Sequence, residues 1–102
     1  MIDKEYYANG QVFSVVYDGV MTLFYKSGKV KAKGGYKDGY KEGKWEYFKE
    51  DGTLWQIGHL INSKRTGLWV KYDDDGNTLE KNYLFNDFNV DIKDEFVIDS
   101  LK

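Results

Sequence analysis

The chain contains no cysteine and no proline, and among its 102 residues it has one histidine (His59), one arginine (Arg65) and two alanines. Without cysteine there are no disulfide staples, thiolate metal sites or cysteine nucleophiles, and the redox compartment stays open. A single arginine is too little for base readout, which arginine dominates, so sequence-specific nucleic-acid binding is not expected. Fifteen basic and seventeen acidic residues leave a net charge of -2, so no chain-wide polycation is available either. No apolar run approaches the ~18 residues of a membrane span. The opening Met1-Ile2-Asp3-Lys4-Glu5 lacks the layout of a secretory leader. A cytoplasmic protein without a membrane partner is the expectation.

What is present favours β-structure. Nine Tyr, six Phe and three Trp stand beside eight Val, five Ile and four Thr, the types that suit a pleated, half-buried surface. Leu, Ile, Val and Phe make up roughly a quarter of the chain, above the ~20% below which disorder is expected. The length suits one domain with a modest core. The eleven glycines are spread along the chain rather than gathered in a linker.

Those glycines mark a repeat. Gly28, Gly52 and Gly76 stand 24 residues apart, and so do Gly19, Gly43 and Gly67. Side chains recur with them: Met21, Trp45 and Trp69; Phe24, Phe48 and Tyr72; Tyr36, Leu60 and Leu84. Tyr6 to Gly10 is a shortened echo. Each unit reads strand, turn, strand, with Ser27-Gly28, Asp51-Gly52 and Asp75-Gly76 as two-residue turns. That register places Met21 opposite Gly34, Trp45 opposite Gly58 and Trp69 opposite Asn82, a large side chain against a small one each time. It also pairs Lys71 with Glu80. The predicted strands cover 20–26, 29–36, 44–49, 53–60, 68–73 and 78–85. Residues 1–18 read as an N-terminal cap or partial repeat, 19–88 as the hairpin repeats and 89–102 as a C-terminal cap, helix or strand, all within a single domain.

The stretch from Tyr36-Lys37-Asp38-Gly39 through Gly43-Lys44-Trp45-Glu46-Tyr47-Phe48 to Asp51-Gly52 resembles a MORN repeat, in the variant form of bacteria. A second copy from Leu60 keeps Gly67, Trp69, Tyr72 and Gly76, while Leu60 and Ser63 replace the first Tyr and Gly. The resemblance implies an all-β, single-layer antiparallel hairpin array. It also implies binding rather than catalysis: some bacterial members are antitoxins, while eukaryotic relatives act as scaffolds or membrane-associated modules.

Catalytic groups are missing from the pattern. His59 occupies a repeat position held by Gly35 and Tyr83 in neighbouring units, which suits a strand residue better than a catalytic base. No serine sits in a nucleophile elbow and no phosphate-binding glycine motif occurs. Asp73-Asp74-Asp75-Gly76 suggests calcium, but Lys71 and the absent bidentate glutamate spoil an EF-hand, so it reads as a turn. The expectation is no enzyme, no metal and no cofactor.

Charge is segregated. Residues 26–49 carry eight lysines against three acids, and residues 73–99 carry nine acids against two lysines. The register spreads apolar and aromatic residues over both faces of the sheet: Met21, Leu23, Tyr25, Val30, Tyr36, Trp45, Tyr47, Leu54, Leu60 and Trp69 on one, Phe24, Phe48, Trp55, Ile57, Leu68, Val70, Tyr72, Leu79 and Tyr83 on the other. Large apolar patches on soluble proteins usually mark binding sites. The reading is therefore a protein-binding module of antitoxin or immunity type that occludes a partner, a basic toxin, with Trp45, Tyr47 and Trp69 as anchors and Asp73, Asp74 and Asp75 steering. A self-assembling scaffold with a homodimer through the same face, or a lipid or polyanion binder using the lysines, are the competing readings.

Overall fold

The computed structural model of the chain describes residues 2–83, with side chains from residue 3 onward. Eight strands follow one another: β1 (Ile2–Tyr6), β2 (Val12–Tyr17), β3 (Val20–Phe24), β4 (Val30–Lys37), β5 (Tyr40–Phe48), β6 (Leu54–Ile61), β7 (Lys64–Tyr72) and β8 (Thr78–Tyr83). They form one antiparallel sheet in chain order, so every connection is a hairpin. The all-β hairpin array expected from composition and repeat is the fold, and the described residues contain no helix. The cap expected over 89–102 lies outside the described residues.

Different turns close the two rims. On one rim the Tyr25 amide donates to the Lys29 carbonyl (2.8 Å) and the Gly28 amide to the Tyr25 carbonyl (2.9 Å). Tyr7–Gln11, Lys49–Thr53 and Asp73–Asn77 repeat that pattern. These are three-residue loops, not the expected two-residue turns. Their last residue is a glycine with φ between 85° and 95°, a conformation that disfavours any side chain. On the opposite rim Asp18-Gly19, Asp38-Gly39 and Asn62-Ser63 have positive φ at both positions, the signature of tight two-residue hairpins. Because the chain turns at Asp38-Gly39 and Asn62-Ser63, β5 and β7 begin at Tyr40 and Lys64, four residues before the expected 44 and 68. Gly43 and Gly67 (φ 80° and 69°) lie inside these longer strands.

The expected register holds in two hairpins and fails in the third. Met21 pairs with Gly34 and Trp45 with Gly58. Trp69, however, pairs with Lys81, and Lys71 with Leu79 rather than Glu80. All three hairpins leave the loop alike, with Phe24 opposite Val30, Phe48 opposite Leu54 and Tyr72 opposite Thr78. The first two then slip by one residue at a bulge after Leu23 and Tyr47, whereas β7 and β8 pair without a slip. With a side-chain period of two, that single residue carries Leu79 and Tyr83 to the opposite face from the one expected.

Tyr83 thereby joins the core. One cross-strand row runs Ser14, Leu23, Ala32, Tyr47, Gln56, Lys71, Leu79, and the next runs Val16, Met21, Gly34, Trp45, Gly58. Among the described residues, all the buried hydrophobic ones (Ala32, Trp45, Leu60, Trp69 and Tyr83) lie on this face, as do buried Ser14 and Gln56. It is the core face. Phe13, Phe24, Phe48, Ile57, Val70 and Tyr72 alternate onto the other face and stay half-buried.

Successive hairpins are locked by tryptophan on glycine. The Trp45 ring lies over Gly34 of β4, where a Cβ would stand 2.3 Å from the indole, and the Trp69 ring lies over Gly58 of β6, where it would stand 2.0 Å away. Each indole N–H then donates to the next carbonyl of the strand it covers, Trp45 Nε1 to Gly35 O (2.9 Å) and Trp69 Nε1 to His59 O (3.0 Å). The glycine opposite Trp45 within its own hairpin therefore accommodates the tryptophan of the following repeat.

Candidate interaction surface

Four aromatic rings form a file across the core face. Trp45 and Tyr47 are 6.0 Å apart between centroids, Tyr47 and Trp69 5.9 Å, and Trp69 and Tyr83 6.2 Å. Such pairs contribute ~0.5–1.5 kcal/mol each beyond their burial. Cations cover the file: Lys41 Nζ lies 5.0 Å from the Trp45 centroid, and the Arg65 guanidinium 4.5 Å from that of Trp69 and 5.5 Å from that of Tyr83. Burial, reinforced by the charge of Lys31, lowers the pKa of Lys41. Burial raises that of Tyr47, opposed in part by Arg65.

The expected anchors divide. Trp45 and Trp69 are 0% and 3% exposed and belong to the core, so neither ring is a surface anchor. Tyr47 is half-buried between them. Arg65 was not singled out by the sequence reading, yet it crowns the file. A signal existed: Lys41 and Arg65 hold one repeat position, each four residues before a tryptophan.

The three acids of the last turn are all exposed and differ in their partners. Asp73 accepts the amides of Asp75 (2.9 Å) and Asn77 (2.8 Å), Asp74 is ion-paired with Lys49 of the preceding turn, and Asp75 is exposed. The Lys49–Asp74 pair is one rung of a ladder along this rim. Tyr7 Oη donates to Phe24 O (2.6 Å) and Tyr25 Oη to Phe48 O (2.7 Å), from the same turn position that Lys49 fills.

The amide of Asn77, ahead of that of Asp75, holds the Asp73 carboxyl below the usual aspartate range. A lowered carboxylate pKa favours folding above the unfolded value, near ~3.9, and that contribution fades as pH falls through the folded value. Carboxyl-carbon NMR should show Asp73 titrating below an ordinary aspartate, with the Asn77 amide shift following the same midpoint. A midpoint at or above the ordinary value would contradict this turn geometry.

An open meander of short hairpins, locked side by side by recurring aromatic and glycine positions, defines the class: a β-hairpin repeat protein. Residues 17–38 and 41–62 each match the MORN repeat variant family model. The two windows frame the β3–β4 and β5–β6 hairpins, and these two hairpins are similar to MORN-variant repeats. No curated protein and no solved structure matches it. Repeats of this kind make a binding or scaffold module. No helix of the described residues is long and apolar enough to cross a membrane.

Proposed function

We propose that the chain is a non-enzymatic protein-binding module of antitoxin or immunity type, which neutralises a basic toxin by covering it. One observation carries this reading: the sheet is a single layer whose second face keeps Phe24, Phe48, Ile57, Val70 and Tyr72 half-buried, directly beside the acidic turn at 73–75. A sheet with apolar residues on both faces gains by covering each of them. The contact therefore moves from the buried tryptophans to Phe48 and Tyr72, with Asp75 as the steering charge.

Co-expression with the protein encoded beside it tests this reading. The expected result is rescue of growth from a toxic neighbour together with a stoichiometric complex. Tyr72→Ala should speed dissociation, and Asp75→Lys should slow association and flatten its salt dependence, since rim charges act mainly on the on-rate. Absence of a complex, or neutralisation unchanged by both substitutions, would sink the proposal. A homodimer that Tyr72→Ala converts into folded monomer, still fully neutralising, would make this face a self-assembly interface instead.

A further inference from the structure

The core face is not uniformly closed. At its β6–β8 end a shallow groove is lined by Gln56, Arg65, Trp69, Lys71, Leu79 and Tyr83, among others. Its floor is aromatic. Its rim is cationic, and Arg65, Lys71 and Leu79 are exposed. The Arg65 guanidinium lies on Trp69 and donates one bond to Tyr83 Oη (2.8 Å). A guanidinium carries five N–H donors in a planar fork that matches a carboxylate, so most of its donor capacity remains. No carboxylate of the described residues pairs with Arg65 or Lys71. An apolar floor beneath Arg65 and Lys71, which no carboxylate of the described residues neutralises, suits an acidic, apolar-rich segment.

The chain itself supplies one. Residues 84–102 carry five acids (Asp87, Asp91, Asp94, Glu95, Asp99) against Lys93 and Lys102, with nine Leu, Ile, Val and Phe residues among them. They follow directly on Tyr83, which lines the groove. Crossing from β8 to β6 spans two strand spacings, ~10 Å, which a few extended residues cover. We propose that residues 84–102 dock in cis in this groove, with Arg65 as the anchor for a carboxylate. A segment tethered beside its site is present at an effective concentration on the order of a millimolar, which favours this occupant over an acidic peptide in trans. This proposal stands apart from the toxin-binding reading, because it covers the core face and leaves the Phe48 and Tyr72 face free.

The absence of cysteine allows a clean test on the full chain. A nitroxide is attached at Ser100→Cys and, in a second sample, at Asn89→Cys, and the three indole N–H signals of Trp45, Trp55 and Trp69 are observed by NMR. Docking predicts that at least one label removes most of the Trp69 signal. Arg65→Gln, or salt near 1 M, where the Debye length falls to ~3 Å, should restore much of it. Undiminished Trp69 signal with both labels would overturn the proposal, as would a loss indifferent to Arg65→Gln. Signal loss that persists when label and isotope sit on different chains would assign the groove to a second copy and overturn it too.

Discussion

Trp45→Ala is expected to destabilise the fold by ~3–5 kcal/mol, the usual cost of deleting a fully buried tryptophan. The ring has no exposed surface, sits on Gly34 and touches the aromatic file through Tyr47. Its loss opens a cavity between two hairpins and also removes the indole donor of the Gly35 carbonyl. Small domains are stable by only ~5–15 kcal/mol, so the substitution should take a large share of the total. Urea unfolding reads this as a lower midpoint at unchanged slope. A loss below ~1 kcal/mol, the scale of ordinary surface changes, would mean that the ring is exposed and would return Trp45 to the contact surface.

Gly58→Ala should be nearly as damaging, although it adds only a methyl group. In an open strand the same change is favourable by ~0.5–1 kcal/mol, because glycine carries excess backbone entropy. Here the new Cβ would stand 2.0 Å from Trp69 Cδ2 and 2.2 Å from Cε2. The indole cannot simply retreat. Its N–H is held by the His59 carbonyl, Tyr83 flanks it and Arg65 lies on top. Overpacking of this kind costs ~1–3 kcal/mol and occasionally more, and the upper end is expected. A variant as stable as the parent would show that the ring rests elsewhere.

The sequence reveals the hairpin order because aromatic and glycine positions recur at a fixed spacing, and the 24-residue period survives substitution at any one site. The rims are harder to read. Asp38-Gly39 is a strong turn dipeptide, but it lies four residues before Gly43, and the repeat anchor draws attention to the wrong glycine. Asn62-Ser63 has no glycine at all, although it adopts the same positive φ values. The misplaced face of Tyr83 has a different cause. Nothing local in β7 or β8 announces that their hairpin lacks the bulge present in the two before it, and period-two alternation turns one missing slip into a reversed face.

The candidate site was legible in part. Aromatic composition pointed to a two-faced sheet, and the structure keeps that feature. Which neighbouring strand each tryptophan covers depends on the direction in which its ring leans. Cα pairing is silent on this point, because Trp45 has a glycine opposite it on both neighbouring strands, Gly34 and Gly58. The indole hydrogen bonds to Gly35 and His59 decide it. Both rings are buried on the core face, while Phe48 and Tyr72 stay half-buried on the other.

The central claim is that each tryptophan locks its repeat to the glycine of the repeat before it. A double-mutant cycle on Gly58 and Trp69 tests this most directly, by measuring urea stability of the parent, Gly58→Ala, Trp69→Ala and the double variant. The lock predicts a sign change: Gly58→Ala costs ~3 kcal/mol while the indole is present and becomes neutral or stabilising by up to ~1 kcal/mol once Trp69 is alanine. An equal cost of Gly58→Ala in both backgrounds would contradict the account, because the glycine would then be needed for its backbone and not for the ring above it.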